Sequence, residues 1–184
     1  MTTSEIPRAV VVFESMFGNT RLIAETVALG VGVTMPVSVI DAASAPTTFG
    51  PQIALVVVGA PTHALGLPRG STREDAVRKL PELARPRTDG VREWLDALRR
   101  APADAHRPIV VGTYDTRVHT PVHLGSAGRG IARRMHRLGF NVASTTSFYV
   151  GGTTGPVNEG ELDRARSWGT ELAVRADQLV HAAG

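Results

Sequence analysis

The chain has no cysteine and one lysine, Lys79. The first absence excludes disulfides, thiolate nucleophiles and cysteine-ligated zinc or iron–sulfur centres. The second leaves almost all positive charge to arginine. Aromatic residues are sparse, at 5%. No phenylalanine, tyrosine or tryptophan interleaves with Arg129, Arg133, Arg134 and Arg137 to stack on a base, so no nucleic-acid partner is expected. No apolar run approaches the ~20 residues that cross a bilayer. Residues 1–8 are short of apolar character, with no secretion-signal core. A cytoplasmic location without a membrane partner is the expectation. What is present is ordinary for a globular chain: 184 residues, 42% hydrophobic, 20% charged, net charge +3. That length suits one domain with a substantial core.

Strand and helix signals alternate. Strands are expected at 8–13, 37–40, 53–59, 109–113 and 141–150. The first, third and fourth are continuous apolar runs, as strands buried on both faces require. Helices are expected at 20–29, 90–99, 128–138 and 159–181. In the last, Leu162, Ala165, Trp168, Gly169, Leu172, Ala176 and Leu179 recur near a 3.6 period, which makes Trp168 a core residue. This pattern predicts an α/β fold: a doubly wound, five-stranded parallel sheet with helices on both faces. Residues 66–90 do not fit the alternation. They read as an insertion with one helix near 73–83, serving as a lid, a hinge or a plain surface excursion.

The junction after the first strand carries the strongest chemical signal. Ala-Val-Val-Val-Phe-Glu runs straight into Ser15-Met16-Phe17-Gly18-Asn19-Thr20, and a helix follows. Backbone N–H groups at a helix N-terminus favour an anion. Ser15, Asn19 and Thr20 add neutral donors around Gly18, where backbone can approach a ligand closely. The loop lacks GxxxxGK[ST] and any lysine, so it is not a nucleotide P-loop. It lacks GxGxxG, which argues against a dinucleotide. A monophosphate fits best. The hydrolase elbow Gly-x-Ser-x-Gly is absent, and Ala60-Pro61 stands where a receiver domain needs an acid.

Other candidates carry less. Asp115, His119 and His123 recur every four residues, the spacing of metal ligands on a helix, but Pro121 interrupts any helix there. No metal is expected. Glu159 and Glu161 open the last helix, where acids offset the dipole. The basic segment from Arg129 to Arg137 reads first as solvated surface.

The residues 15–20 after an apolar strand resemble the phosphate loop of the flavodoxin family. Gly59-Ala60-Pro61-Thr62-His63 is similar to that family's second flavin loop, and Gly112-Thr113-Tyr114-Asp115-Thr116 to its third. The segment Gly155-Pro156 through Trp168-Gly169 looks like the final helix of bacterial relatives. The resemblance spans residues 8 to about 176, outside 66–90. It implies strand order 2-1-3-4-5 and non-covalent FMN. The phosphate would rest on Ser15, Met16, Phe17, Gly18, Asn19 and Thr20. The ring would lie between Pro61, Thr62, His63 and Ala64 on one side and Thr113, Tyr114, Asp115 and Thr116 on the other.

Two departures stand out. His63 occupies the second loop, where the family often has tryptophan, and the usual third-loop tyrosine falls near Val118; Tyr114 is the aromatic available to stack in its place. The chain is basic, whereas electron-carrying flavodoxins are usually acidic. The resemblance implies an electron carrier working with a redox partner protein or a small-molecule donor or acceptor, as monomer or homodimer. The alternatives are a small FMN-dependent NAD(P)H:quinone-type reductase and a non-redox interaction module of the same fold.

Overall fold

The structure, a computed structural model, describes residues 6–63, 66–79, 82–83, 88–98, 109–119 and 125–182. The strands are β1 (Arg8–Phe13), β2 (Val37–Asp41), β3 (Ile53–Pro61), β4 (Val110–Val118) and β5 (Asn141–Val150). The helices are α1 (Asn19–Val31), α2 (Gly70–Lys79), α3 (Val91–Ala97), α4 (Ala127–Arg137) and α5 (Glu161–Ala182), with a 3-10 turn at Ala42–Ser44. All strand pairs are parallel, in the order β2-β1-β3-β4-β5. The expected doubly wound sheet is therefore present. Among the described residues, no helix is long and apolar enough to cross a membrane.

Side chains alternate along each strand, so one apolar run feeds two cores. In β1, Ala9, Val11 and Phe13 join Ile23, Val27, Trp168 and Leu172 beneath α1 and α5. Val10 and Val12 turn to the other face and join Trp94, Leu95, Ile131 and Met135 of α3 and α4. Trp168 is a core residue as expected, its Nε1–H donating to Ser144 Oγ at 2.9 Å.

The largest difference from expectation lies in β4. The strand was expected to end at 113 but continues to Val118, paired with β3 through Thr116 and with β5 through Val118. Continuous parallel pairing overrides the loop-like look of Thr-Tyr-Asp-Thr. Residues 113–116 are thus strand, not loop. The helix expected near 73–83 sits earlier, at Gly70–Lys79.

Candidate functional site

β1 delivers the chain to the carboxyl edge of the sheet, where Glu14 N–H donates to Gly59 carbonyl at 2.9 Å. The loop then folds on itself: Gly18 N–H donates to Ser15 Oγ at 3.1 Å. Gly18 sits at φ 95°, in the left-handed region that penalises a Cβ. Open space surrounds it, so glycine is required there by backbone conformation alone. No side chain caps α1. The N–H groups of Asn19, Thr20 and Arg21 thus face outward without an acceptor among the described residues, at the positive end of a thirteen-residue helix. Thr20 fixes the helix to the sheet. Its hydroxyl pairs with Thr116 Oγ1 at 2.7 Å and its carbonyl accepts from Tyr114 OH at 3.1 Å.

The second loop leaves β3 at Pro61. Thr62 N–H donates to Thr116 carbonyl at 2.9 Å, and its hydroxyl oxygen accepts from Ala127 N–H at 3.0 Å. Thr62 thereby joins the β3 end to the start of α4. His63 and Gly66 exchange two backbone hydrogen bonds of 2.9 Å. Burial lowers the His63 pKa; the Glu14 charge pulls it upward and Arg73 pushes it down, and the net direction is down. Burial therefore favours its neutral imidazole. Ala64 lies outside the described residues.

The third group divides. Thr116 lines the cleft. Thr113 does not; its hydroxyl pairs with Thr145 at 2.8 Å. Asp115 is buried against the start of α4. Its Oδ2 accepts from Ser126 Oγ and, at 3.0 Å, from Gly128 N–H. A carboxylate there neutralises the helix dipole. Tyr114 corrects the expectation that it stacks in the cleft. Its side chain is 0% exposed and packs edge-on to Phe148 and Trp168 in the core beneath α5. The ring occupies the space a Cβ at Gly59 would need, 1.9 Å away. Burial pushes its phenol pKa upward. The metal reading gains no support among the described residues, where no cluster of three ligands occurs. The His119 ring lies tilted against that of Tyr149, centroids 5.1 Å apart, and His123 lies outside the described residues.

Beside the phosphate-type loop lies a buried ion cluster that the sequence did not announce. The Glu14 side chain is 0% exposed and that of Arg73, in α2, is 1% exposed. Arg73 Nε–H and one Nη2–H reach Glu14 at 2.7 and 3.2 Å. The other Nη2–H and one Nη1–H reach Glu93 at 2.8 and 3.1 Å, and Nη1 also donates to Thr88 carbonyl at 3.2 Å. All five guanidinium donors are used. Val91 N–H adds a 2.9 Å bond to Glu14. Burial opposes the Arg73 charge, yet the hydrogen bonds and charges of Glu14 and Glu93 outweigh it and raise its pKa. For Glu93, burial acts upward, but Arg73 and the backbone N–H groups hold its carboxyl below the ordinary value. The cluster fastens α2 and α3 to the end of β1, one residue before Ser15.

Together these loops frame a cleft lined by Ser15, Met16, Phe17, Asn19 and Thr20 on one side and Pro61, Thr62, His63 and Thr116 on the other. Arg117, Val118, Val150, Gly152 and Thr153 complete it. These last five are not among the expected site residues; the Gly/Thr-rich stretch at 151–156 is a sequence signal for two of them, and the rest depend on β4 and β5 running on to the cleft. Val118, at the position of the missing aromatic, is 42% exposed. The cleft encloses about 130 Å³, less than the ~300–1,000 Å³ of an enclosing small-molecule pocket.

Solved structures share this architecture. Flavodoxin 1 from Bacillus cereus matches with a TM-score of 0.62 at 16% identity, over 91% of this chain and 97% of that one. The chain has the flavodoxin fold. A WrbA-like flavodoxin from Agrobacterium tumefaciens matches at TM-score 0.56 and 16% identity, over 94% and 98% of the two chains. Rubredoxin oxygen:oxidoreductase from Desulfovibrio gigas carries the same fold within a longer chain: TM-score 0.60, 16% identity, 96% of this chain against 38% of that one. No family model matches the sequence, and no curated protein matches it. In a flavodoxin fold, ligands bind at the switch point outside the carboxyl ends of the strands. The cleft occupies that place.

Proposed function

We propose that this flavodoxin-fold protein binds FMN in the cleft and carries electrons between a redox donor and acceptor. The carrying observation is the uncapped start of α1 beside Gly18 in the left-handed conformation, at one side of the cleft. The residues fit the group. The first-turn N–H groups with Ser15, Asn19 and Thr20 supply neutral donors for a monophosphate, and the loop holds no lysine for a triphosphate. Pro61, Thr62, His63, Thr116, Arg117 and Val118 would flank the ring. FMN supplies the electron-transfer chemistry when bound, and the chain supplies position and electrostatics. Burial disfavours a positive charge on His63 beside the ring. The small volume of the cleft supports a carrier, since an exposed ring edge is what a protein partner reaches.

One observation favours the reductase alternative. The Arg73 cluster ties α2 and α3 to Glu14, one residue before the loop, which supports a fixed platform next to the site. Two measurements decide. Quenching of FMN fluorescence on titration with micromolar protein is expected, and absence of quenching rejects the flavin reading. Stopped-flow mixing of the FMN-loaded protein with NADPH or NADH is expected to give no fast bleaching at the flavin band. Rapid bleaching establishes the reductase instead.

A further inference from the structure

The cations are not spread evenly over the surface. α4 buries Ala127, Gly128, Ile131 and Met135 against the sheet and turns Arg129, Arg133, His136 and Arg137 to solvent. It contains no acidic residue, whereas α5 mixes Arg164, Arg166 and Arg175 with Glu161, Asp163, Glu171 and Asp177. Among the described residues, Arg129, Arg133 and Arg137 make no ion pair and no side-chain hydrogen bond. The positive ridge continues across the neighbouring elements. Arg134 spans to Asp96 and to the carbonyl of Arg92. Arg92 in turn donates to the carbonyls of Leu67 and Pro68. Arg69 and Arg134 are both near enough to act on the Arg92 charge; burial lowers the Arg92 pKa most, and these two cations lower it further. The nearby acids are committed, Asp96 to Arg134 and Glu93 to Arg73.

This ridge begins at the rim of the cleft. Ala127 N–H is bonded to Thr62 and Gly128 N–H to Asp115, so Arg129 stands one residue beyond an N–H held by the strand that lines the site. The aromatic side chains beneath it, Trp94, Phe140 and Phe49, are all buried. None is offered for stacking on single-stranded bases. We propose that the α4 ridge of Arg129, Arg133 and Arg137, extended by Arg92 and Arg69, is a docking surface for an acidic protein, which it steers onto the rim of the cleft. That the docked protein is a redox partner rests on the proposed function; the electrostatic docking itself does not. Unpaired like charges on one helix face attract an opposite surface over a Debye length and raise association rates by ~10–10³.

The test uses a small acidic [2Fe–2S] ferredoxin as probe and the full chain. Association is measured by calorimetry from about 10 to about 150 mM salt, where the screening length falls from ~30 to ~8 Å. FMN content is recorded separately by absorbance. The expected result is binding that weakens with salt, and that falls about tenfold or more at low salt in the triple variant Arg129→Gln, Arg133→Gln, Arg137→Gln, with a flattened salt slope. The control Arg166→Gln, Arg175→Gln on α5 should bind as wild type does. Equal binding by wild type and the α4 variant overturns the proposal, as does an equal loss from the α5 control. Tighter, α4-dependent binding of a duplex oligonucleotide than of the ferredoxin also overturns it, in favour of a nucleic-acid surface. Because calorimetry reads docking whether or not flavin is bound, a protein without FMN but with intact docking rejects only the proposed function.

Discussion

Replacing Arg73 by methionine removes the centre of the cluster that joins α2 and α3 to the end of β1. The change strips both Arg73 donors from Glu14, whose carboxylate is 0% exposed, and leaves it, among the described residues, only the Val91 N–H. Glu93 loses two bonds as well, but it is 35% exposed and can turn to water. The dominant cost is therefore a desolvated Glu14 charge. Removing one partner of a buried pair costs about 3–5 kcal/mol, a large share of the ~5–15 kcal/mol that holds an ordinary domain together. Arg73→Lys should recover only part of the loss, because one ammonium cannot reach Glu14, Glu93 and Thr88 carbonyl at once. The double variant Arg73→Met with Glu14→Gln should be more stable than Arg73→Met alone, since the orphaned charge is gone. The assay is urea unfolding followed by circular dichroism, with the midpoint and slope read for all three variants. A loss under about 1 kcal/mol for Arg73→Met, or a double variant no better than the single, refutes the reasoning.

Three further outcomes follow from the site. Gly18→Ala should cost about 1–2 kcal/mol by thermal unfolding, from left-handed strain with no steric clash, and should weaken FMN binding as well. Tyr114→Phe should cost about 0.5–1.5 kcal/mol through the lost bond to Thr20 carbonyl while leaving the bound-flavin absorption spectrum unchanged; a shifted spectrum contradicts the burial of that ring. Stability should rise with pH across the acid range. The folded His63 resists the proton that the unfolded chain accepts below its ordinary 6.5, so stability falls as pH drops from there. Glu93, depressed from 4.5, contributes fully above that value and loses its contribution as pH falls through its folded pKa. His63→Gln should flatten the upper part of this profile and leave the lower part in place.

The strands and the strand–loop–helix junction at 13–20 were legible because they rest on local signals, whereas the strand order came only with the family resemblance. β-branched runs ended by Glu14, and Gly18 followed by helix formers, need no knowledge of the rest of the chain. The end of β4 was not legible. Thr113 to Thr116 look polar, and their side chains are satisfied by Thr20, Thr145, Ser126 and Gly128, all distant in sequence. Tyr114 illustrates the same limit. A tyrosine beside a binding loop reads as a ligand contact, whereas its ring is buried beneath α1 and α5, in the gap left by Gly59. Arg73 was invisible for a related reason. In Ser-Thr-Arg-Glu-Asp it resembles a solvated helix face, and its burial depends on Glu14, 59 positions earlier, and Glu93, 20 positions later.

The central claim is that the loop from Ser15 to Thr20 holds a monophosphate. Parallel titrations of the flavin-free protein with FMN and with riboflavin test it most directly, because the two ligands differ only in that group. Two charge-assisted bonds of ~1.5 kcal/mol each correspond to about a hundredfold in affinity. The account predicts one-to-one FMN binding at least that much tighter than riboflavin, with the difference lost in Gly18→Ala and Thr20→Val. Equal affinity for the two flavins, or no binding of either, contradicts it.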